Sequence, residues 1–166
     1  MARIQFDDLP DSARLWFFPA SRSLEPAELT KLNTVVEESL AAWNAHGSPV
    51  TWGYKVIYDQ FLVVGVDETK TALSGCSIDS CVHQIQKLEP QLETSFLDNS
   101  RVFYRQADRL HVTDRPGFRS LAESGAVTGD TVVFNNIIPS MAEFRRGQWE
   151  VEAKSSWHAR AFPLGV

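Results

Sequence analysis

Only two cysteines occur in the 166 residues, five positions apart at Cys76 and Cys81. No disulfide framework can therefore staple the chain, and a reducing cytoplasm is the expected compartment. No apolar run approaches the ~18 residues that a membrane-spanning helix needs. The opening stretch, MARIQFDDLPDSARLW, lacks the basic and then apolar pattern of a secretory signal. Positive charge is scarce. A net charge of −5 argues against non-specific binding to nucleic acid or to an anionic membrane, both of which need a positive field. None of the nine glycines is followed by lysine, so the Gly-x4-Gly-Lys-Ser/Thr phosphate loop is absent. Repeats and low-complexity tracts are absent too.

What is present reads as an ordinary globular protein, 43% hydrophobic and 22% charged. RLWFFPA (14–20) has the form of a buried strand ended by Pro19. Residues 25–47 carry Leu29, Leu32, Val36, Leu40 and Trp43 at helical spacing, with Pro26 in the first turn and Gly47 and Pro49 as stops. Strands 50–58 and 61–66 flank a tight turn at Asp59-Gln60, a second helix spans Ile78 to Glu89, and RVFYRQ (101–106) is the next strand. This β-α-β-β-α-β order predicts an α+β protein with a ferredoxin-like split βαβ sheet and RLWFFPA at its centre. Residues 107–166 read as an elaboration of that sheet: RLHVT (109–113) pairing across Ala107-Asp108, a short helix near Phe118–Ser124, the strand TVVFNN (131–136), a helix from Met141 to Arg146, and a serine-capped terminal helix in SSWHARAF (155–162). One domain over residues 1–166 is expected, with 1–106 as its core and 107–166 added to it.

Charge is unevenly spread. Residues 1–100 hold 7 Lys/Arg against 14 Asp/Glu; residues 101–166 hold 9 against 7, and eight of those nine are arginine. Arginines in such numbers bind phosphates or carboxylates, or else cover a solvated face and pair with the acidic half.

The densest group of reactive side chains is LSGCSIDSCVH (73–83). With Ser77 as N-cap, Ile78, Cys81, Val82, Ile85 and Leu88 form one apolar stripe. Cys81 then faces the core, and Cys76 with Cys81 occupies the two positions of a hydrophobic staple. The functional reading belongs to Cys76, whose thiol beside a helix N-terminus would be shifted toward thiolate. The backbone of Gly75, Cys76 and Ser77 would also offer N–H groups to an anion. Asp79 opposes both, because its carboxylate already occupies the first turn. His83, four residues on, is spaced for a carboxylate–imidazole bond or for a plain surface pair. Cys76, Cys81 and His83 match no standard zinc spacing and diverge around the helix, so no metal is expected. The loop of residues 67–77 is long for a connection, and Asp67 and Glu68 suit either a rim of a ligand site or a solvated acidic loop. Asn135-Asn136 reads as turn chemistry, and Trp157-His158 as the docking of a terminal helix.

Through SGCSID, TVVFNN and the terminal SWH, the chain resembles a family of short uncharacterised bacterial proteins often labelled ABC-transporter ATPases. The resemblance implies no activity by itself. LSGCS (73–77) is close to the ABC signature LSGGQ, but Cys76 and Ser77 replace its second glycine and its glutamine. Without a phosphate loop there is no Walker lysine and no magnesium-binding hydroxyl, so the ATPase reading fails on residues. Three readings stand. The first is a module binding a small ligand or anion at residues 67–77, with Gly75, Cys76 and Ser77 as contacts and Asp67, Glu68, Asp79 and His83 on the rim. The second is a thiol enzyme with Cys76 as nucleophile and His46 or His158 as base. The third is a structural or interaction protein, motivated by aromatic residues near both ends. No cofactor is implied, and the oligomeric state is not determined.

Overall fold

A computed structural model of the chain describes residues 3–41, 43–45, 48–69 and 75–165, apart from the side chains of residues 44, 45 and 75–77. Its elements fall into two units, residues 1–97 with 139–142 and residues 98–138 with 143–166.

The first unit opens with β1 (Arg14–Pro19) and α1 (Pro26–Leu40), a helix started by Pro26 in its first turn and by a reciprocal bond between Glu25 and Glu28. A two-residue ribbon follows, β2 (Asn44–Ala45) against β3 (Ser48–Pro49). Then come β4 (Thr51–Ile57), β5 (Phe61–Asp67) and α2 (Gly75–Leu92). The sheet is antiparallel in the order β1-β5-β4. Every residue of β5 is buried, as its run of six apolar or glycine residues before Asp67 requires. Leu32, Val36 and Leu40 of α1 and Cys81, Ile85 and Leu88 of α2 share one core cluster with Leu62, Val64 and Val66. On the other face Gly53 and Gly65 sit opposite one another. A Cβ at Gly53 would lie 2.7 Å from the Ile4 carbonyl oxygen, and one at Gly65 2.5 Å from Leu9 Cδ1, so the glycine pair is what admits the segment from Ile4 to Leu9.

Three strands and two helices thus follow the split βαβ order, but two expectations fail. β1 is not central; β5 is. The fourth strand, Arg101–Gln106, belongs to the second unit. Its place on the free edge of β1 is taken by residues 139–142, through Leu15 N–H to the Pro139 carbonyl (2.9 Å), Met141 N–H to that of Ala13 (2.9 Å) and a bridge between Arg14 and Ser140. Pairing is decided by which edges meet, and that is not written in the order of elements. Helix ends also shift. α1 stops at Leu40, and Trp43 is buried from an irregular turn rather than from a helix. α2 runs from Gly75 past Pro90 to Leu92, so Ser77 lies inside the first turn and is not its cap. Glu93 then adopts a left-handed φ of 51°, and Thr94 N–H reaches the Glu89 carbonyl at 3.3 Å, a Schellman-type end.

In the second unit β6 (Arg101–Gln106) and β7 (Arg109–Asp114) form the expected hairpin, with Ala107 and Asp108 both at positive φ. α3 (Arg115–Glu123) is capped by the Asp114 carboxylate, which accepts from Gly117 N–H at 2.7 Å. β8 (Val132–Phe134), α4 (Met141–Arg145, whose first two residues belong to the first unit), β9 (Glu150–Glu152), a 3-10 turn over Ala153–Ser155 and α5 (His158–Ala161) follow. The sheet order is β7-β6-β8-β9, so these residues build a sheet of their own instead of extending the first. Its core gathers Val102, Tyr104, Phe118, Val133, Ala153 and Phe162.

Candidate functional site

The side chains around residues 67–77 are occupied locally. Asp67, buried at the end of β5, accepts from Thr69 N–H (3.0 Å) and Thr69 Oγ1 (2.5 Å), an arrangement that stabilises the turn. Glu68 pairs with Arg14 at 3.3 Å, and Arg14 lies over the Trp16 ring at 4.8 Å. Residues 70–74 and the side chains of Gly75, Cys76 and Ser77 lie outside the described residues, as does His46. Asp79 and His83 are exposed on α2, and no bond joins them among the described residues. Cys81 faces the core as expected. It borders an apolar pocket of about 10 Å³ with Trp16, Phe18, Trp43, Ile78 and Val82, and burial pushes its thiol up to about 12. Among the described residues no His, Cys, Asp and Glu side chains group to hold a metal, and no helix is long and apolar enough to cross a membrane.

A second place emerges within the second unit. β9 runs into the 3-10 turn and then into α5, and the loop after β8 stands beside them. Between them opens a cleft of about 430 Å³ lined by Asn135, Ile137, Lys154, Ser155, Ser156, Trp157, Ala159 and Arg160. Asn135 is fixed by its backbone, N–H to the Trp149 carbonyl at 2.7 Å, and its Oδ1 accepts from Ile137 N–H at 3.4 Å, leaving the amide NH₂ as a donor. Lys154 is held between Asp130 (2.8 Å) and Glu152 (3.0 Å), which raise its pKa. Arg160 is exposed and has no ion pair among the described residues.

Beneath the cleft, Ser156 Oγ lies 2.8 Å from His158 Nδ1. The imidazole is fully buried, stacked on Trp157 (centroids 3.9 Å) and edge-to-face with Phe118 (5.9 Å). Desolvation first, then the charge of Arg115, pushes its pKa down to about 4. Nε2 of His158 and Nε1 of Trp157 are buried with no hydrogen-bond partner among the described residues. Ser156 and His158 stand at nucleophile–base distance, yet the surroundings disfavour the imidazolium that base catalysis would form.

No protein-family model, curated protein or solved structure matches the chain.

Sequence reasoning passed over Lys154 and Arg160, took the serines at 155–156 only as a helix cap, read Asn135 as turn chemistry, and read His158 as helix docking or as a base for Cys76. The usable signal was the arginine excess after residue 100. Half of those eight arginines are engaged within the fold: Arg105 pairs with Glu150 (2.8 Å), Arg101 with Asp98 (3.5 Å), and Arg115 and Arg119 lie over Trp157 and Phe162. The serine cap expected on α5 does not form, because Ser156 turns to His158 and the N-cap residue is Trp157.

Proposed function

We propose that the protein is a non-catalytic binding module for a small molecule bearing anionic oxygen, a carboxylate or a phosphate, held in the cleft between β9, α5 and the loop after β8. One observation carries this reading: the eight lining residues include no carboxylate and offer the Arg160 guanidinium, the Asn135 amide and two serine hydroxyls, beside a Lys154 ammonium already paired with Asp130 and Glu152. A cationic donor and neutral donors facing one concavity favour an acceptor-rich anion. Apolar contact from Ile137, 70% exposed, and from Trp157 leaves room for a carbon skeleton beside the charged group.

Residues 67–77 are the weaker place for an anion. Asp67 and Glu68 carry negative charge there, and Asp79 sits in the first turns of α2, where an anion would otherwise gain from the helix dipole. The buried thiol of Cys81 suits the cytoplasm as the working compartment. Lacking a phosphate loop, the binding reading stands apart from ATP hydrolysis.

The test is calorimetric titration with inorganic phosphate and with citrate at low salt. Millimolar binding, weakened at least tenfold by Arg160→Glu and weakened by 0.5 M salt, is expected at ~−4 kcal/mol. Undetectable binding, or binding indifferent to Arg160→Glu, would overturn the proposal.

A further inference from the structure

His158 does not touch the cleft, yet it is bonded to a residue that lines it. The ring is sealed among Trp157, Phe118 and Phe162, with 0% exposure, and Arg115 lies over the neighbouring indole. An unpaired charge in such a place is costly, so the ring is neutral and carries one N–H. Two tautomers compete. With the proton on Nε2, the cluster would bury two donors, this one and the indole Nε1–H of Trp157, with an acceptor for neither. With the proton on Nδ1, the N–H donates to Ser156 Oγ, and Nε2 becomes a bare acceptor in the same cluster as the unpartnered indole donor. Orphaned buried donors are rarer than under-used acceptors, which favours the second arrangement.

We infer that His158 is held as the Nδ1–H tautomer and acts as a positioning residue: it donates to Ser156 Oγ, so that the serine hydroxyl proton turns into the cleft as a donor to the ligand's anionic group, beside Arg160. This rests on the reading of the cleft as the ligand site. The ring is held in place by aromatic packing, so the hydroxyl is oriented before a ligand arrives, which lowers the ordering cost of binding.

Two measurements test it on the full chain. Imidazole ¹⁵N spectra at pH 7 report which ring nitrogen of His158 carries the proton, with no ligand required. Phosphate titrations of wild type, Ser156→Ala, His158→Leu and His158→Asn then report the consequence. The expected result is a proton on Nδ1, about tenfold weaker phosphate binding for Ser156→Ala and His158→Leu (~1.4 kcal/mol), and restoration to within about threefold by His158→Asn, whose amide N–H replaces the Nδ1–H. Folding of each variant is checked by amide-signal dispersion. A proton on Nε2 overturns the inference. So does an Nδ1 proton with Ser156→Ala binding as wild type, or His158→Asn no better than His158→Leu while both stay folded. If wild type shows an Nδ1 proton but no phosphate binding, the cleft reading fails and the role of Ser156 fails with it.

Discussion

Lowering the pH from 7 toward 4 should destabilise the second unit by a share that belongs to His158. Its folded pKa, about 4, lies below the 6.5 of the free side chain. As pH falls, the unfolded chain therefore takes up the proton first, and each step in that interval favours unfolding. The contribution is fully present above about 6.5 and is lost progressively down to about 4. A gap of 2.5 pH units (6.5 − 4), at ~1.36 kcal/mol each, sets the total loss near 3 kcal/mol. Full burial of the ring argues against a large discount for solvent screening. Urea unfolding followed through the amide signals of Val133 and Val151 separates this unit's transition from that of the first. All other groups are common to both proteins, so the informative quantity is the difference between wild type and His158→Leu, which has no proton to take up. That difference should shift by about 3 kcal/mol between pH 7 and pH 4, with wild type losing more. Parallel curves would mean that the ring is hydrated or paired in the folded state, and would refute the argument from burial.

Gly53→Ala should cost about 1–3 kcal/mol, because its new Cβ meets backbone at the Ile4 carbonyl oxygen (2.7 Å) and the Phe6 Cα (3.1 Å). Gly65→Ala should cost less, since Leu9 and Leu15 meet it with side-chain ends that can rotate; equal costs by urea unfolding would contradict this account of the β5–β4 face. Removing the α3 cap with Asp114→Ala should cost about 1 kcal/mol, with the loss read in the amide signals of Phe118 and Ala122. The Cys81 thiol, raised to about 12 by burial, should resist iodoacetamide at pH 8 until urea unfolds the first unit; rapid labelling of its peptide in the native protein would place it outside the core.

The local elements were largely legible. Pro26, the Ala107-Asp108 turn and the Leu32–Val36–Leu40 stripe announce their structures directly, because each depends on neighbours within a few residues. Cys81 was placed on the core face by the same periodicity. Sheet membership was not legible. RVFYRQ reads as a strand through its run of Val102, Phe103 and Tyr104, and nothing in it says whether it pairs with β1 or with Val133 of β8. Trp43 shows the limit of periodicity, since its spacing fits a helix that has already ended at Leu40. The cleft was illegible for a similar reason. Asn135 and Arg160 are 25 positions apart and meet only through the β8–β9 pairing, whereas LSGCSIDSCVH drew notice because its reactive groups are adjacent in sequence. Adjacency gathers residue types, but a concave set of donors comes from topology.

Amide chemical-shift mapping of the wild-type chain during a phosphate titration locates any anion site without a substitution. Saturable shifts concentrated at Asn135, Ser155, Ser156, Ala159 and Arg160 are expected. Shifts concentrated instead at Gly75–Asp79, or scattered over the surface without saturation, would contradict the proposed site.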